Sequence, residues 1–346
     1  MNRNTLLLIP IVMACSACSK EDGDRVAART IDPVPPIIQL YGDSATKDTS
    51  KANYGGGMLA HISDVEDDEN GNVYVLDSEY KKVAVFGPDG KLKRNILGGY
   101  GSAPGEFKVP ISLNVSSGFV YVYDHALARI SVFDTLGKYQ KTIGPLPASY
   151  KDIRVRGDRV FATPLPALQW NLHELSIDGK LIAKHLAVTD QDKKFSPDGS
   201  ALYLATGQDG TILLGHMRAG LWFAEAHKWK QYGREFMPNA VAFKTEEDLI
   251  HPTQIYGIGT LYNDDVAICY SSLELLPGDK REIRSDGVFV DFFTPKGSYV
   301  RSIQLQDGYV PACSTSKDGR SLLIAETEPY PRVRRFGIEQ LVAAIK

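Results

Sequence analysis

Asp77 and Asp124 are the most regularly placed residues of this sequence whose side chains could do chemistry. Each ends a run of β-branched and aromatic residues, and the two lie 47 positions apart. A carboxylate in such a place can bind a divalent metal ion. It can also accept hydrogen bonds from the backbone N–H groups of a following turn, which is the usual arrangement at a strand end. The repeated placement favours turn capping, so we predict no metal ligand here.

The histidines and the later cysteines form no local motif for metal or redox chemistry. The seven histidines show none of the spacings, such as His-x-x-x-His, that place two ligands side by side. After residue 18 only Cys269 and Cys313 remain, each in an apolar run. We predict two buried free thiols, because a disulfide needs Cα atoms within about 7 Å. We expect no cofactor, with a divalent metal ion in a central channel as the alternative, since a site built from several repeats would leave no local motif.

Two glycine-containing motifs lack the context that catalysis or phosphate binding needs. Gly42-Asp43-Ser44 resembles the nucleophile block of the GDS-type hydrolases, whose serine requires a histidine base from a late Asp-x-x-His motif. No such motif occurs near the C-terminus. The glycines of 99–105 are spaced like a phosphate loop, but that loop must open a helix, and here Pro110 and a strand-like pattern follow. We therefore predict no catalytic residue.

The segments around Asp77 and Asp124 belong to an internal repeat. Val73–Asp77 matches Val120–Asp124, Val83–Phe86 matches Ile130–Phe133, and Gly90 matches Gly137, all at the same offset of 47 positions. The residue types in these runs favour short strands, and Gly-Lys turns separate them. A period of about 40 to 50 residues with four short strands per unit is typical of propeller blades.

The second unit resembles an NHL repeat. The matching residues are Gly105, Phe107, Pro110, Tyr121, Val122, Asp124, Arg129, Ile130, Val132, Phe133 and Gly137. Turns at Ser196–Gly199 and Ser316–Gly319, each ahead of an apolar run, resemble TolB-type blades. The resemblance to the NHL-repeat and TolB-like lipoproteins of Gram-negative bacteria implies an all-β, six-bladed β-propeller, with seven blades as the alternative. It also implies structural roles in the repeat for Gly90, Gly105, Phe107, Pro110, Asp77, Asp124 and Gly137.

Six units of this length account for nearly all of the chain after its N-terminal segment. The predicted boundaries are 58–97 and 106–146 for the first two blades, 253–305 for the fifth and 307–337 for the sixth. The third blade is degenerate, and the fourth starts near Phe195. Residues 66–72 are predicted to be an acidic turn between the two inner strands of the first blade.

Both ends of the predicted ring carry a further element. The strand at 37–41 is predicted to complete the last blade, because closing the ring removes open sheet edges. Apolar residues at helical spacing between Ile338 and Ile345 predict a short C-terminal helix.

The N-terminus has the pattern of a targeting segment. Arg3 precedes the apolar stretch Thr5–Ala14, which is too short to span a bilayer. Cys15 and Cys18 each follow a small residue, which resembles a bacterial lipobox, so we predict that one of the two carries a lipid. An ordinary secretory signal is the alternative. The predicted division is a lipoprotein signal peptide at 1–18, a flexible tether at 19–36, and a single propeller domain at 37–346.

Charge and targeting together indicate the compartment and the partners. The formal net charge is −3, which does not favour nucleic acid as a partner. The acidic run at 21–24 resembles the export signal of surface lipoproteins. We expect an outer-membrane lipoprotein at the cell surface or on the periplasmic face, attached to the membrane through its lipid anchor.

Three hypotheses for function follow from this pattern. The first is a non-catalytic envelope module that binds a peptide, glycan or protein on a propeller face, because such a face presents many loops on a rigid frame. The second is a metal-dependent enzyme of the propeller lactonase or lyase type. The third is a structural subunit of an envelope complex. We favour the first hypothesis, since no catalytic spacing is present.

Overall fold

The computed structural model describes most of the chain after residue 57. The described residues are 29–30, 38–41, 58–188, 202–207, 211–216, 220–225, 228–232, 254–275, 283–295, 299–305, 310, 312–327 and 330–343. The predicted signal peptide with Cys15 and Cys18, the Gly42-Asp43-Ser44 motif and the turn at Ser196–Gly199 lie outside them.

The strands of the first half of the chain form three four-stranded sheets. Two short strands precede them, β1 (Arg29–Thr30) and β2 (Ile38–Tyr41). The first sheet contains β3 (Ile62–Asp67), β4 (Val73–Asp77), β5 (Lys82–Phe86) and β6 (Leu92–Leu97). The second contains β7 (Pro110–Ser116), β8 (Phe119–Asp124), β9 (Arg129–Asp134) and β10 (Tyr139–Ile143). The third contains β11 (Tyr150–Arg156), β12 (Arg159–Pro164), β13 (Trp170–Ser176) and β14 (Leu181–Ala187).

The second half of the chain forms three more sheets and a helix. The fourth sheet contains β15 (Leu202–Thr206), β16 (Ile212–His216), β17 (Gly220–Glu225) and β18 (Lys228–Tyr232). The fifth contains β19 (Gln254–Thr260), β20 (Val266–Leu275), β21 (Ile283–Phe293) and β22 (Tyr299–Leu305). The sixth contains β23 (Cys313–Thr315), β24 (Ser321–Glu326) and β25 (Arg332–Gly337). Helix α1 (Ile338–Ala343) follows directly, which confirms the predicted C-terminal helix.

The sheets follow one another around a central axis. Within each sheet, strands that are consecutive in the chain pair antiparallel. The first strand of every sheet packs against the first strand of the next sheet, and β23 of the sixth packs against β3 of the first. This closed succession of four-stranded antiparallel sheets, to one of which β1 adds a short parallel strand, is a β-propeller with one short helix among the described residues. The predicted all-β propeller class is therefore confirmed.

The N-terminal segment completes the sixth sheet. β2 pairs antiparallel with β25, from Ile38 opposite Arg335 to Tyr41 opposite Arg332. Without β2, the backbone groups along that side of β25 would be unpaired, and an open edge of this kind invites aggregation. The prediction that an N-terminal strand closes the last sheet is confirmed.

One strand lies where the sequence predicted a flexible tether. Arg29–Thr30 forms β1, which pairs parallel with the outer strand β22, and it makes the fifth sheet five-stranded. The tether prediction for 19–36 is therefore wrong at these two residues. The physical reason is that β22 presents a free edge, which can pair with any extended segment nearby.

The predicted acidic turn at 66–72 begins two residues too early. Glu66 and Asp67 belong to β3, where Glu66 is opposite Tyr74 and Asp67 is opposite Val73. The turn starts at Asp68, whose backbone N–H donates to Asn72 O at 3.0 Å. Charged residues at a strand end were mistaken for loop, because their partners come from other sheets and are not visible in the local pattern.

The hydrophobic core is divided among the seams between sheets. One cluster joins Tyr74, Leu76 and Val85 of the first sheet to Leu113 and Val122 of the second. A similar cluster fills the seam between the sixth and first sheets. Because each middle strand is covered on both faces, every residue of β4 and β5 is buried. Both strands therefore read as nearly continuous apolar runs instead of alternating ones.

Candidate functional site

Asp77 and Asp124 cap equivalent turns. Asp77 accepts hydrogen bonds from the backbone N–H groups of Ala60 at 2.7 Å and of Glu79 and Tyr80 at 3.0 Å each. Asp124 accepts from the N–H of Val109 at 3.1 Å and of Leu127 at 2.9 Å. Both residues are fully buried. Their carboxylates are occupied by backbone donors and lie away from any cavity described below.

The other residues that the repeat singled out form turns and seam packing. Gly90 and Gly137 each donate a backbone hydrogen bond to the residue three positions earlier, and both have a positive φ that favours glycine. Gly105 also has a positive φ, and it lies against the ring of Tyr139. Phe107 is fully buried and packs edge-on against Phe133, with ring centroids 5.9 Å apart. Pro110 begins β7.

The central channel is lined by side chains that connect one sheet to the next. Asp64 of β3 accepts from the Leu113 N–H of β7 at 2.7 Å, and Glu66 accepts from the Val115 N–H at 2.7 Å. The innermost strand of each sheet has one edge that no strand covers, so its N–H groups need other acceptors. Carboxylates from the neighbouring sheet supply them.

The same bridging continues around the ring. Asn114 Oδ1 of the second sheet accepts from the Val155 N–H of the third at 2.8 Å. Asp152 Oδ2 of the third sheet accepts from the Leu204 N–H of the fourth at 2.8 Å. Asp67 Oδ1 of the first sheet accepts from the Lys317 N–H of the sixth at 2.8 Å. These polar side chains hold adjacent sheets together at the axis.

Arg154 is the central cation of this channel. Its Nη1 lies 2.6 Å from Asp152 Oδ1 and its Nε lies 3.3 Å from Glu66 Oε1, and only 8% of its side chain is exposed. Burial alone would lower the pKa of Arg154, but the nearby carboxylates of Asp152, Glu66 and Asp64 raise it overall. Arg154 is therefore permanently charged, and it compensates carboxylates from two sheets.

Two of the channel carboxyl groups have pKa values raised to near neutral pH. Burial raises the pKa of Asp64 to about 7, although Arg154 opposes the shift. Burial likewise raises the pKa of Asp67 to about 7, against the lowering effects of the Lys317 N–H and the Arg335 guanidinium. The channel can therefore hold or release protons in the physiological range.

A cavity of about 260 Å³ opens at the carboxyl ends of the innermost strands. One wall is acidic and comes from the first sheet and its first turn, with Glu66, Asp67 and Glu69. The adjacent sixth sheet contributes the hydroxyl groups of Ser314, Thr315 and Ser316, and Thr206 of the fourth sheet adds another.

Arg154 is shared by this cavity and a smaller one. The smaller one is also lined by Asp64, Asp152 and Tyr203. Lys317 Nζ lies 3.6 Å from Glu66 Oε2 at the edge of the larger cavity and is 29% exposed. Ser314 Oγ is buried and has no hydrogen-bond partner within the described part of the chain. The larger cavity therefore offers charges of both signs and an unused hydroxyl.

The acidic wall does not have the geometry of a metal site. Among the described residues, no group of three or more His, Cys, Asp and Glu side chains could hold a metal ion. Glu66 and Asp67 face cations instead: Glu66 faces Arg154 and Lys317, and Asp67 Oδ2 lies 3.4 Å from Arg335 Nη2. The cavity as described presents hydrogen-bonding groups and charges of both signs.

Sequence reasoning missed the residues that build this cavity. Asp64 and Glu66, and Asp152 and Arg154, are charged residues at alternate positions in short strands. Alternation places each pair on one face of its strand. That pattern in the first strands of the first and third units was the available signal, because a buried charged pair in a strand needs a partner.

The comparisons with known proteins support the fold and no particular activity. No family model matches the chain, and no curated protein matches it. A member of the DUF4221 family from Bacteroides vulgatus is 9% identical with a TM-score of 0.56, over 81% of this chain and 92% of that one. A protein of Bacteroides fragilis that is described as exported is 12% identical with a TM-score of 0.54, over 84% of this chain and 82% of that one.

A further similar structure belongs to a known type of β-propeller. The WD40 repeats of RRP9 are 11% identical with a TM-score of 0.53, over 89% of this chain and 99% of that one. WD40 repeats form β-propellers. At such low identities these similarities establish the β-propeller fold alone. Within the described residues, no helix is both long enough and apolar enough to span a membrane.

Proposed function

We propose that this chain is a non-catalytic, six-bladed propeller that binds a small polar ligand in the cavity at the mouth of its channel. The observation that carries the proposal is this cavity itself, which is lined by acidic residues, hydroxyl groups and the buried Arg154. The closed succession of six sheets supports the blade count. The repeat pattern around Asp124 supports an NHL- or TolB-like origin.

The ligand is a glycan residue or the end of a peptide. The cavity is close to the smallest ligand pockets, which measure about 300 Å³. The hydroxyl groups of Thr315 and Ser316 and the carboxylate of Glu69 can exchange hydrogen bonds with sugar hydroxyls or with an ammonium group. Arg154 and the carboxylates that contact it already satisfy each other, so they leave recognition to the other residues that line the cavity.

Ligand binding can be tested by thermal shift with panels of short glycans and peptides. A ligand at 100 times its Kd stabilises the folded state by about 2.7 kcal/mol, which raises Tm measurably. Lys317→Ala should weaken binding of the same ligand, because it removes a charge at the edge of the cavity. Lys91→Ala, at an exposed turn where the Lys91 side chain is 84% accessible, is the matched control and should leave binding unchanged. Equal loss in both variants, or no hit in either panel, contradicts the proposal.

A metal-dependent propeller enzyme is the second candidate. It would have to use the three acids at the channel mouth, but two of them face cations and the described residues form no metal site. Glu66, Asp67 and Glu69 lie on one side of the channel mouth. If they bind a divalent ion, calcium or manganese should raise Tm and a chelator should abolish the rise. Glu69→Gln should then remove the effect. A Tm that does not respond to either ion rejects this candidate.

We further propose that the protein is attached to the outer membrane, on its outer or periplasmic face, through a lipid on Cys15 or Cys18. The lipobox-like pattern around these residues supports this. Metabolic labelling with an alkyne fatty acid in a Gram-negative host tests it. Either Cys15→Ser or Cys18→Ser should abolish the label. Labelling that survives in both variants contradicts the assignment.

A further inference from the structure

Two cysteines that are far apart in sequence meet at the seam between the fifth and sixth sheets. Cys269 lies in β20 and Cys313 begins β23, and both belong to one buried apolar cluster. Only 1% of Cys269 and 7% of Cys313 is exposed. Both are free thiols in the structure, and the Cys313 side chain is close enough to contribute to the raised pKa of Cys269.

Gly257 is the reason that these cysteines are neighbours. Gly257 lies in β19, and its partner on the neighbouring strand β20 is Cys269. On its other side, a Cβ atom at position 257 would lie 1.7 Å from the carbonyl oxygen of Cys313. The backbone of β23 therefore approaches β19 more closely than any side chain would allow, and the two cysteines flank the same glycine. Facing residues of an antiparallel pair have Cα atoms about 4.5 to 5.5 Å apart, so Cys269 lies within short reach of Gly257 on one side while the Cys313 backbone contacts it on the other.

We propose that Cys269 and Cys313 form a disulfide that cross-links the fifth and sixth sheets when the protein folds in the presence of a disulfide oxidant. The thiolate of one cysteine attacks the oxidant's disulfide and forms a mixed disulfide, releasing one thiol of the oxidant. The second cysteine, as thiolate, displaces the oxidant's other sulfur and forms the S–S bond. Two protons leave the protein thiols, and two electrons reduce the oxidant to two thiols.

The disulfide forms during folding, before the propeller is complete. The Cys313 side chain and burial together raise the pKa of Cys269, so little thiolate is present once the seam has formed. An oxidant must also reach the sulfur atom, and the seam excludes it. The pair is therefore oxidised readily while the sixth sheet is still undocked and slowly afterwards.

The cross-link would lie beside the point where the ring closes, so it should affect the stability of the whole propeller. The sixth sheet is completed by β2 from the other end of the chain, and no covalent bond ties β2 to β25. The fifth and sixth sheets lie next to this closure. A bond between β20 and β23 holds the sixth sheet on the ring even when β2 separates. It should therefore raise the thermal stability of the whole propeller.

Peptide mapping tests the proposal on the full chain. The protein is denatured, then refolded either with glutathione disulfide or with a reductant, blocked with iodoacetamide in denaturant, and digested with trypsin. The oxidised sample should give one linked peptide pair containing Cys269 and Cys313, and the reduced sample two separately alkylated peptides. The Tm of the oxidised sample should exceed that of the reduced sample by about 5 °C or more. The variant Cys269→Ala, with Cys313→Ala as its match, should lose this difference.

Two results overturn the proposal. One is the separate alkylation of both peptides after refolding with glutathione disulfide, in a protein that has regained its far-ultraviolet circular dichroism. The other is a linkage of Cys269 or Cys313 to the peptide that contains Cys15 and Cys18. Neither result depends on ligand binding, so the proposed function stands or fails separately.

Discussion

The two sides of the propeller ring are held together by different means. From the first sheet to the fourth, buried carboxylate, amide and hydroxyl side chains bridge the innermost strands, with Arg154 as the compensating cation. From the fifth sheet to the sixth, glycines allow close backbone approach: Gly257 lies against Cys313, and Gly259 lies against Thr315. The first side therefore depends on charge pairing and the second on the absence of side chains.

This difference shows two solutions to one geometric problem. Six sheets must converge on an axis, and the inner strands there have unpaired edges. Polar bridging satisfies those edges but requires each buried charge to keep its partner. Close backbone packing avoids buried charge but tolerates no added atom. The predictions below disturb each side in turn.

The largest expected effect is on the polar side. Arg154→Met roughly keeps the volume of the side chain but leaves the carboxylate of Asp152 without its cation and that of Glu66 with only the more distant Lys317 among the described residues. Removing one partner of a buried ion pair costs about 3 to 5 kcal/mol of unfolding free energy. Chemical denaturation measures the loss. The matched control is Arg159→Met in the same sheet, whose side chain is 39% exposed, and exposed ion pairs contribute about 1 kcal/mol or less. Equal losses would show that Arg154 is not a buried charge centre.

The next effect is on the glycine side. Gly257→Ala places a Cβ atom 1.7 Å from a backbone oxygen, which cannot rotate away. We expect a loss of about 3 kcal/mol or more, because the two strands must separate. Gly215→Ala is the control, since its Cβ would meet only the end of the Ile258 side chain at 3.1 Å. Both are measured by denaturation in the presence of reductant. A mild effect of Gly257→Ala would mean that the seam is looser than described.

A smaller effect is expected on the pH dependence of the unfolding free energy. One buried acid on each side of the ring, Asp64 and Asp291, allows the two sides to be compared. Burial raises the pKa of Asp64 to about 7, partly opposed by Arg154, and burial raises the pKa of Asp291 to about 7, partly opposed by the Ser302 and Tyr270 hydroxyls. The unfolded reference value is 3.8 for both. Below a pH of 3.8 both the folded and the unfolded protein hold the proton. Between about pH 4 and 7 only the unfolded chain releases it, so the unfolding free energy falls as pH rises and levels off above 7.

Denaturation curves across this window test the assignment. Asp64→Asn and Asp291→Asn should each flatten the decline between pH 4 and 7, because an amide does not titrate. The two variants should act independently, since the residues lie on different sides of the ring. A wild-type stability that rises over the same window contradicts the raised pKa values of both groups.

Local features were predictable because they depend on neighbours along the chain. The turns at Gly90 and Gly137 and the strand runs ending at Asp77 and Asp124 can be read from residue type and spacing. The closing strand at 37–41 was predictable because a propeller needs its last sheet completed. The pairing of β1 was not predictable, since a two-residue strand has no pattern of its own.

The candidate cavity was mostly invisible to sequence reasoning. Glu66 was assigned to a turn, and no role was predicted for Arg154. Their pairing depends on how far two sheets lie from each other across the axis. The closeness of Cys269 and Cys313 likewise depends on Gly257, which gives no sign in the sequence that another strand lies against it.

The amino-acid sequence alone therefore determined the repeat, the strands and the all-β propeller class, since short-range patterns of apolar residues and turn glycines specify each sheet. Only the tertiary structure decided which charges meet at the axis, where the cavity opens and which two thiols touch. These contacts join residues of different sheets, and their distances are set by the closure of the whole ring.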